Sequence, residues 1–435
     1  MSMPGNLPVV RITCGICEIV SRKAQSTGDK LESDTSWLKQ KHHSDIRRKL
    51  VHLKLNFILN NLQSYLDHLK MNNSAWPCLL KNISQDWPCQ KEWVENGKPN
   101  FEWLSRKYGR AEVPVSNCKE RYFNAQSKCT MKLKEFLDYW EDYIDKKHPE
   151  ESQCFYMKDW HFPNENPSEN VYRVPPFFAS DWINEYLLKD PSKNDDYRFV
   201  YMGPKGSWTP LHADVFSSFS WSVNICGIKK WIFFPPGEEE KLKDKFGKLA
   251  YDVESEDLLD SSKFPLYSPS VNRIVLIQEV GDAIFVPSGW HHQVWNLDDT
   301  ISFNHNWVNG CNISKMWDAL SQCFTSVVRE ISDCKLMDGW DAQCQLMLKS
   351  CFGMNHLDFY SFIAAIAHSR LNCLVEGATL EVNGGWCLGP NHCRFDLTRI
   401  NALLSSILNA DVSCYNDCVD EMKSLVSKID DVVSS

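Results

Sequence analysis

Residues 219–234 read FSWSVNICGIKKWIFF, two short runs of aromatic and β-branched residues, Phe219 to Cys226 and Lys230 to Phe234, parted by Gly227. Each run has the length and composition of a β-strand, and the glycine offers the chain a tight reversal between them. The same texture recurs on both sides, at Tyr197 to Met202, Arg273 to Gln278, Ala283 to Val286 and Thr300 to Val308, each bounded by Gly, Pro or Asp. Short strands with turn signals and no helices between them predict an antiparallel barrel or jelly roll, not an alternating parallel sheet. The fold class is therefore α+β with a mainly β core.

Away from this core the hydrophobic period changes to that of helices. Leu50, Leu53, Leu55, Ile58 and Leu59 fall at helical spacing, and Leu133, Phe136, Leu137, Trp140 and Ile144 form one face of a segment that His148-Pro149 stops. Beyond Ser314, Met316, Trp317, Leu320 and Phe324, then Phe359, Phe362, Ile363 and Ile366, repeat the pattern. The expected organisation is a mainly helical N-terminal extension over 1–150, a β core over 151–310 and a helical region over 311–435. The acidic stretch Asp252 to Ser262, between two strands, reads as a solvated loop.

Composition narrows the function classes. With 43% hydrophobic and 24% charged residues, the 435-residue chain can bury a core. Its net charge of −9 disfavours phosphate backbones, so no direct nucleic-acid partner is expected. No apolar run reaches the ~18 residues of a membrane span, and Arg11 and Glu18 interrupt Leu7 to Val20, so the expected compartment is the cytoplasm, with the nucleus as alternative. The 18 cysteines are scattered and read as thiols. Cys14-Gly-Ile-Cys17 lacks a second half-site for zinc, and Cys387 to Cys393, with His392, contains a Gly389-Pro390 turn; both are read as structural.

His212-Ala213-Asp214 sets an imidazole and a carboxylate two residues apart, on the same side of an extended backbone. His291 or His292, at the start of a later strand, offers a second imidazole. Two histidines and one carboxylate make a facial triad, which suits Fe(II) with positions left for a bidentate co-substrate and dioxygen, and suits structural zinc poorly. Parity does not choose between the two histidines, nor between Lys229 and Lys230 as an inward-facing cation.

The ordered series Tyr201-Met202-Gly203-Pro204, Thr209-Pro210-Leu211-His212-Ala213-Asp214, Gly227-Ile228-Lys229-Lys230-Trp231-Ile232-Phe233-Phe234-Pro235 and Gly281-Asp282-Ala283-Ile284-Phe285-Val286-Pro287-Ser288-Gly289-Trp290-His291-His292 resembles the JmjC family of Fe(II)- and 2-oxoglutarate-dependent oxygenases. The resemblance covers Tyr156 to Val308. It implies a double-stranded β-helix (jelly-roll, cupin-like) core, with Fe(II) held by His212, Asp214 and His292. It implies 2-oxoglutarate as co-substrate, with Lys229 at its distal carboxylate and Tyr156 donating a hydroxyl there, and O2 as the oxidant. Asn304 and Asn306 are implied second-sphere amides. Ser222 stands where closer relatives carry asparagine, with Asn224 two residues on. The expected reaction is hydroxylation of a lysine side chain in a protein, the eukaryotic translation termination factor being the substrate the resemblance favours. Methyl-lysine demethylation and a non-catalytic binding module are the alternatives.

Overall fold

The computed structural model describes residues 11–12 by their backbone, and 76–190, 195–382, 385–410 and 418–434. The helix expected around Leu50 to Leu59 and the Cys14–Cys17 pair lie outside the described residues.

The first strands are β1 (Arg11–Ile12), β2 (Cys78–Leu80), the short pair β3 (Val94–Glu95) and β4 (Lys98–Pro99), β5 (Glu112–Tyr122), β6 (Ala125–Lys132) and β7 (Phe155–Trp160). Then follow β8 (Arg198–Gly203), β9 (Trp208–His212), β10 (Phe219–Cys226) and β11 (Lys229–Phe234). The last core strands are β12 (Ile274–Gln278), β13 (Ala283–Val286), β14 (His291–Asn296) and β15 (Thr300–Trp307). They form a nine-stranded sheet ordered β1-β2-β13-β10-β15-β8-β7-β5-β6 and a four-stranded sheet ordered β12-β11-β14-β9. This is the jelly-roll core the texture of residues 197–308 predicts, with helices at both ends.

Every residue of β10 is buried, because both faces of the large sheet are covered. On its outer face Leu133, Phe136, Leu137 and Trp140, from the helix Leu133–Asp145, join Trp93, Leu104 and Phe303 in the largest core. On its inner face Ile284 and Val286 meet Trp231, Phe233 and Val294 of the small sheet. Gly227 makes the β10–β11 reversal at φ +73°, and a Cβ there would lie 2.2 Å from the Asp299 carbonyl oxygen. No L side chain fits that place.

Two regions depart from the sequence expectation. The 1–150 extension, expected to be mainly helical, carries the long hairpin β5–β6, which continues the large sheet beyond β7. Its strands mix Lys, Glu, Asn and Ser with few apolar residues because β6 is an edge, so they lack the texture of core strands. The acidic loop is anchored: Val253 and Leu258 pack with Leu211, Ile232 and Phe234 on the outer face of the small sheet, and Gln293 bonds both the Val253 amide and the Asp252 carboxylate.

The C-terminal helices Ile313–Glu330, Trp340–Phe352, His356–Glu376, Pro390–Leu408 and Val419–Val433 form their own core. They are fastened to the helix Trp182–Leu188 by Arg370, whose Nη1 and Nη2 each donate at 2.8 Å to Glu185 while Nε donates at 2.8 Å to Asp396. All three side chains are buried. Removing the arginine leaves Asp396 buried with no cation but His392 near it and Glu185 with only the half-exposed Lys189, so Arg370→Leu is expected to cost about 3 kcal/mol. A fall in the urea midpoint is the measurement, and an unchanged midpoint contradicts this account of the docking.

Candidate active site

Strand pairing assembles the donors. His212 ends β9 directly opposite His292 on β14, and their ring centroids lie 4.4 Å apart. Asp214 follows in extended backbone, leading into a short turn over Val215–Ser217. Ligand atoms of His212, Asp214 and His292 all lie within 4.8 Å of one another, and no other such group of metal-binding side chains occurs among the described residues. His291 points elsewhere, with Nδ1 3.9 Å from Glu239.

Each donor is oriented by a second contact. The His212 Nδ1 lies 2.8 Å from the Pro210 carbonyl and the His292 Nδ1 3.1 Å from the Trp290 carbonyl. A proton on each Nδ1 donates to that oxygen and leaves the Nε2 lone pair free, the tautomer a metal requires. Burial, with the neighbouring His212, pushes the His292 imidazole down to about 4, so it stays neutral. Asp214 accepts from Ser220 Oγ at 2.7 Å and from Asn306 Nδ2 at 3.0 Å, one bond to each oxygen. Trp231 and Phe233 wall the His292 ring at 5.5 and 5.6 Å. Two imidazoles and one anchored carboxylate suit Fe(II).

One cavity joins this set to Lys229, Tyr156, Tyr201, Ser222 and Asn304. Lys229 is buried, and Nζ donates to the Tyr156 hydroxyl at 3.1 Å, with the Tyr156 and Tyr201 rings each 5.8 Å away. Burial, with Lys158 nearby, pushes its ammonium down to about 7. A buried cation with one hydroxyl and two rings for partners is ready for an anion such as the distal carboxylate of 2-oxoglutarate. Gly203 makes the close approach possible, since a Cβ there would stand 2.6 Å from the Tyr156 ring. Lys230 faces the other way, paired with Glu254 and lying over the Trp295 ring.

The remaining candidates divide. Asn306 reaches Asp214, whereas the Asn304 amide, although it borders the cavity, donates to Ser302. Ser222 Oγ has no protein partner among the described residues, and the Asn224 amide is spent on the Gly227 and Gln278 carbonyls. Sequence reasoning missed Ser220 and Tyr201. The signal for Ser220 was the polar series 220, 222, 224 on one face of an otherwise apolar strand. Cys387 and Cys393 make no metal group; the Cys393 thiol meets Cys373 at 3.5 Å.

Residues 68–313 match the cupin-like domain family. The chain is 46% identical over 343 residues to the zebrafish (Danio rerio) 2-oxoglutarate and iron-dependent oxygenase JMJD4, covering 77% of this chain and 81% of that protein. The chain belongs to the cupin-like JmjC oxygenases. It is 45% identical over 335 residues to the human protein of the same name, covering 76% of this oxygenase and 79% of that one. It is also 41% identical over 327 residues to the Arabidopsis thaliana arginine-specific demethylase JMJ20, covering 72% and 69%. The oxygenase uses Fe(II), 2-oxoglutarate and O2.

Two measurements follow from the site. Anaerobic iron titration is expected to find metal binding lost in His292→Ala and kept in His291→Ala; equal retention in both removes His292 from the donor set. Lys229 separates stability from binding. Its folded value near 7 lies below the ordinary 10.5, so between those limits the unfolded chain holds the proton and the fold does not. Its contribution to stability therefore rises with pH across that window and is unfavourable at pH 7. Lys229→Met is thus expected to leave the co-substrate-free protein at least as stable at pH 7, while raising the 2-oxoglutarate Kd about a hundredfold or more, since the carboxylate would be buried unpaired. A melting temperature lowered by several degrees with unchanged Kd contradicts this.

Proposed function

We propose that the oxygenase hydroxylates a lysine side chain of a protein, with the eukaryotic translation termination factor as substrate. The observation that carries the reading is that the donor set and the buried Lys229–Tyr156 pair share one cavity, while a cleft of about 450 Å3 adjoins it and is lined by His212 and Asp214 as well. Co-substrate and a protein side chain can then approach the same centre from different directions. The kinship to proteins named 2-oxoglutarate and iron-dependent oxygenases supports oxygenase chemistry, and the name of the Arabidopsis relative, an arginine-specific demethylase, supports a basic side chain as the target.

In this reading His212, Asp214 and His292 hold the iron and take no part as acids or bases. Lys229 and Tyr156 fix the distal carboxylate of 2-oxoglutarate, Ser220 and Asn306 keep Asp214 from turning, and Trp231 and Phe233 keep water from His292. Iron, 2-oxoglutarate and O2 would together supply the oxidising chemistry, one oxygen atom going to succinate and the other to the substrate C–H, with carbon dioxide released. Ser222 and Asn304 border the co-substrate and complete its polar surroundings.

Mass spectrometry of the termination factor after incubation with the iron-loaded chain tests the reading. A gain of about 16 Da on a lysine is expected; a loss of about 14 Da from a methylated residue would replace hydroxylation by demethylation.

A further inference from the structure

Strand β7 does not run straight to its end. Its pairing with β8 slips between Met157 and Trp160, and within the slip Asp159 takes φ +62°, a left-handed conformation uncommon outside glycine. Bulges of this kind turn a side chain out of the ladder and collect beside active sites. Here the result is a carboxylate in the cleft that Tyr197, Phe199, Tyr201, His212 and Asp214 also line. The Tyr201 hydroxyl donates to Asp159 Oδ1 at 2.7 Å and fixes the carboxylate plane. Burial works against ionisation, yet Lys128 and the Tyr201 hydroxyl outweigh it and hold the carboxyl below its ordinary range.

The second oxygen, Oδ2, holds a cation already. Lys128, on β6, places Nζ 2.7 Å from it, and more than half of that lysine side chain is exposed. Both partners are partly exposed, so the lysine can return to water when another ammonium takes its place at the carboxylate. The other carboxylates of the cleft are differently placed. Asp214 is engaged by Ser220 and Asn306, Asp196 is buried against Arg198 and His161, and Asp195 is half exposed at the rim. Lys158 is committed to Gln126.

We propose that Asp159 receives the cationic end of the substrate side chain and that Lys128 is a resident stand-in, displaced when the substrate enters. An ammonium brought into this cleft loses hydration and must find an oriented anion. Asp159 is that anion, and the wall of Tyr197, Phe199 and Tyr201 accepts the methylene stem. The inference rests on the lysine reading of the reaction and adds the residue that selects for charge.

Steady-state kinetics of the full-length, iron-loaded chain on the termination factor tests it, with Asp159→Asn and Lys128→Ala beside wild type. Asparagine tolerates the left-handed backbone and can still accept from Tyr201, so the substitution removes charge and little else. Asp159→Asn is expected to raise KM about tenfold or more, the cost of losing one charged hydrogen bond. Lys128→Ala is expected to lower KM several-fold, by removing the competitor. A structural ion pair would move both variants the same way, so equal directions, or a KM unmoved in both, overturn the proposal. Should Asp159→Asn fold poorly, Lys128→Ala decides alone: KM unchanged or raised is the overturning result. Failure of the lysine reading looks different, since wild type itself then leaves every lysine of the termination factor unmodified, and the proposal falls with it.

Discussion

The register between β9 and β14 is the constraint on which everything else in this molecule depends. His212 faces His292 across one antiparallel pair, and on the other side of β14 the same histidine faces Phe233 of β11. Side chains alternate with a period of two, so a slip of one residue would turn the His292 imidazole out of the barrel and put His291 or Gln293 in its place. The register is held by what lies on both faces of the small sheet. Trp231, Phe233 and Val294 are buried inward, and Leu211, Ile232 and Phe234 are buried beneath residues 242–271. The placing of the two imidazoles is thus set by ordinary hydrophobic packing on both faces of the small sheet.

The same register fixes the co-substrate end of the cavity. Lys229 begins β11 and pairs with Asn296, four residues along β14 from His292. A strand rises roughly 3.3 Å per residue, so the ammonium and the donor set stand on one strand ladder at a spacing fixed by backbone geometry. Burying that cation beside a tyrosine is unfavourable for the empty fold, a cost that is tolerated because the anion it awaits offsets it.

Much of this was legible in the residues. The core strands expected from texture alone differ from the observed ones by at most a residue at their ends, and the facial pattern His212, Asp214 with a later histidine points to the right neighbourhood. What could not be read was parity. On β11 both alternating sets contain aromatic or β-branched residues because both faces of that strand are covered, so Lys229 and Lys230 looked alike until the outer cover was seen. The β5–β6 hairpin stayed hidden because an edge strand carries charge in place of an apolar stripe. Asp159 stayed hidden because a bulge breaks the alternation on which strand reading relies.

One contact outside the barrel bears on the iron. The turn after Asp214 holds Phe216 at φ +59°, and its ring is pressed against Gly353 and Phe352 at the end of a C-terminal helix, with Tyr197 on the other side. The turn after Asp214 is therefore held from two directions, by Ser220 and Asn306 through the carboxylate and by the helical region through the phenyl ring. Phe352 and Gly353 stand more than a hundred positions along the chain from Asp214, so the place of a proposed iron ligand depends on how the C-terminal helices are seated.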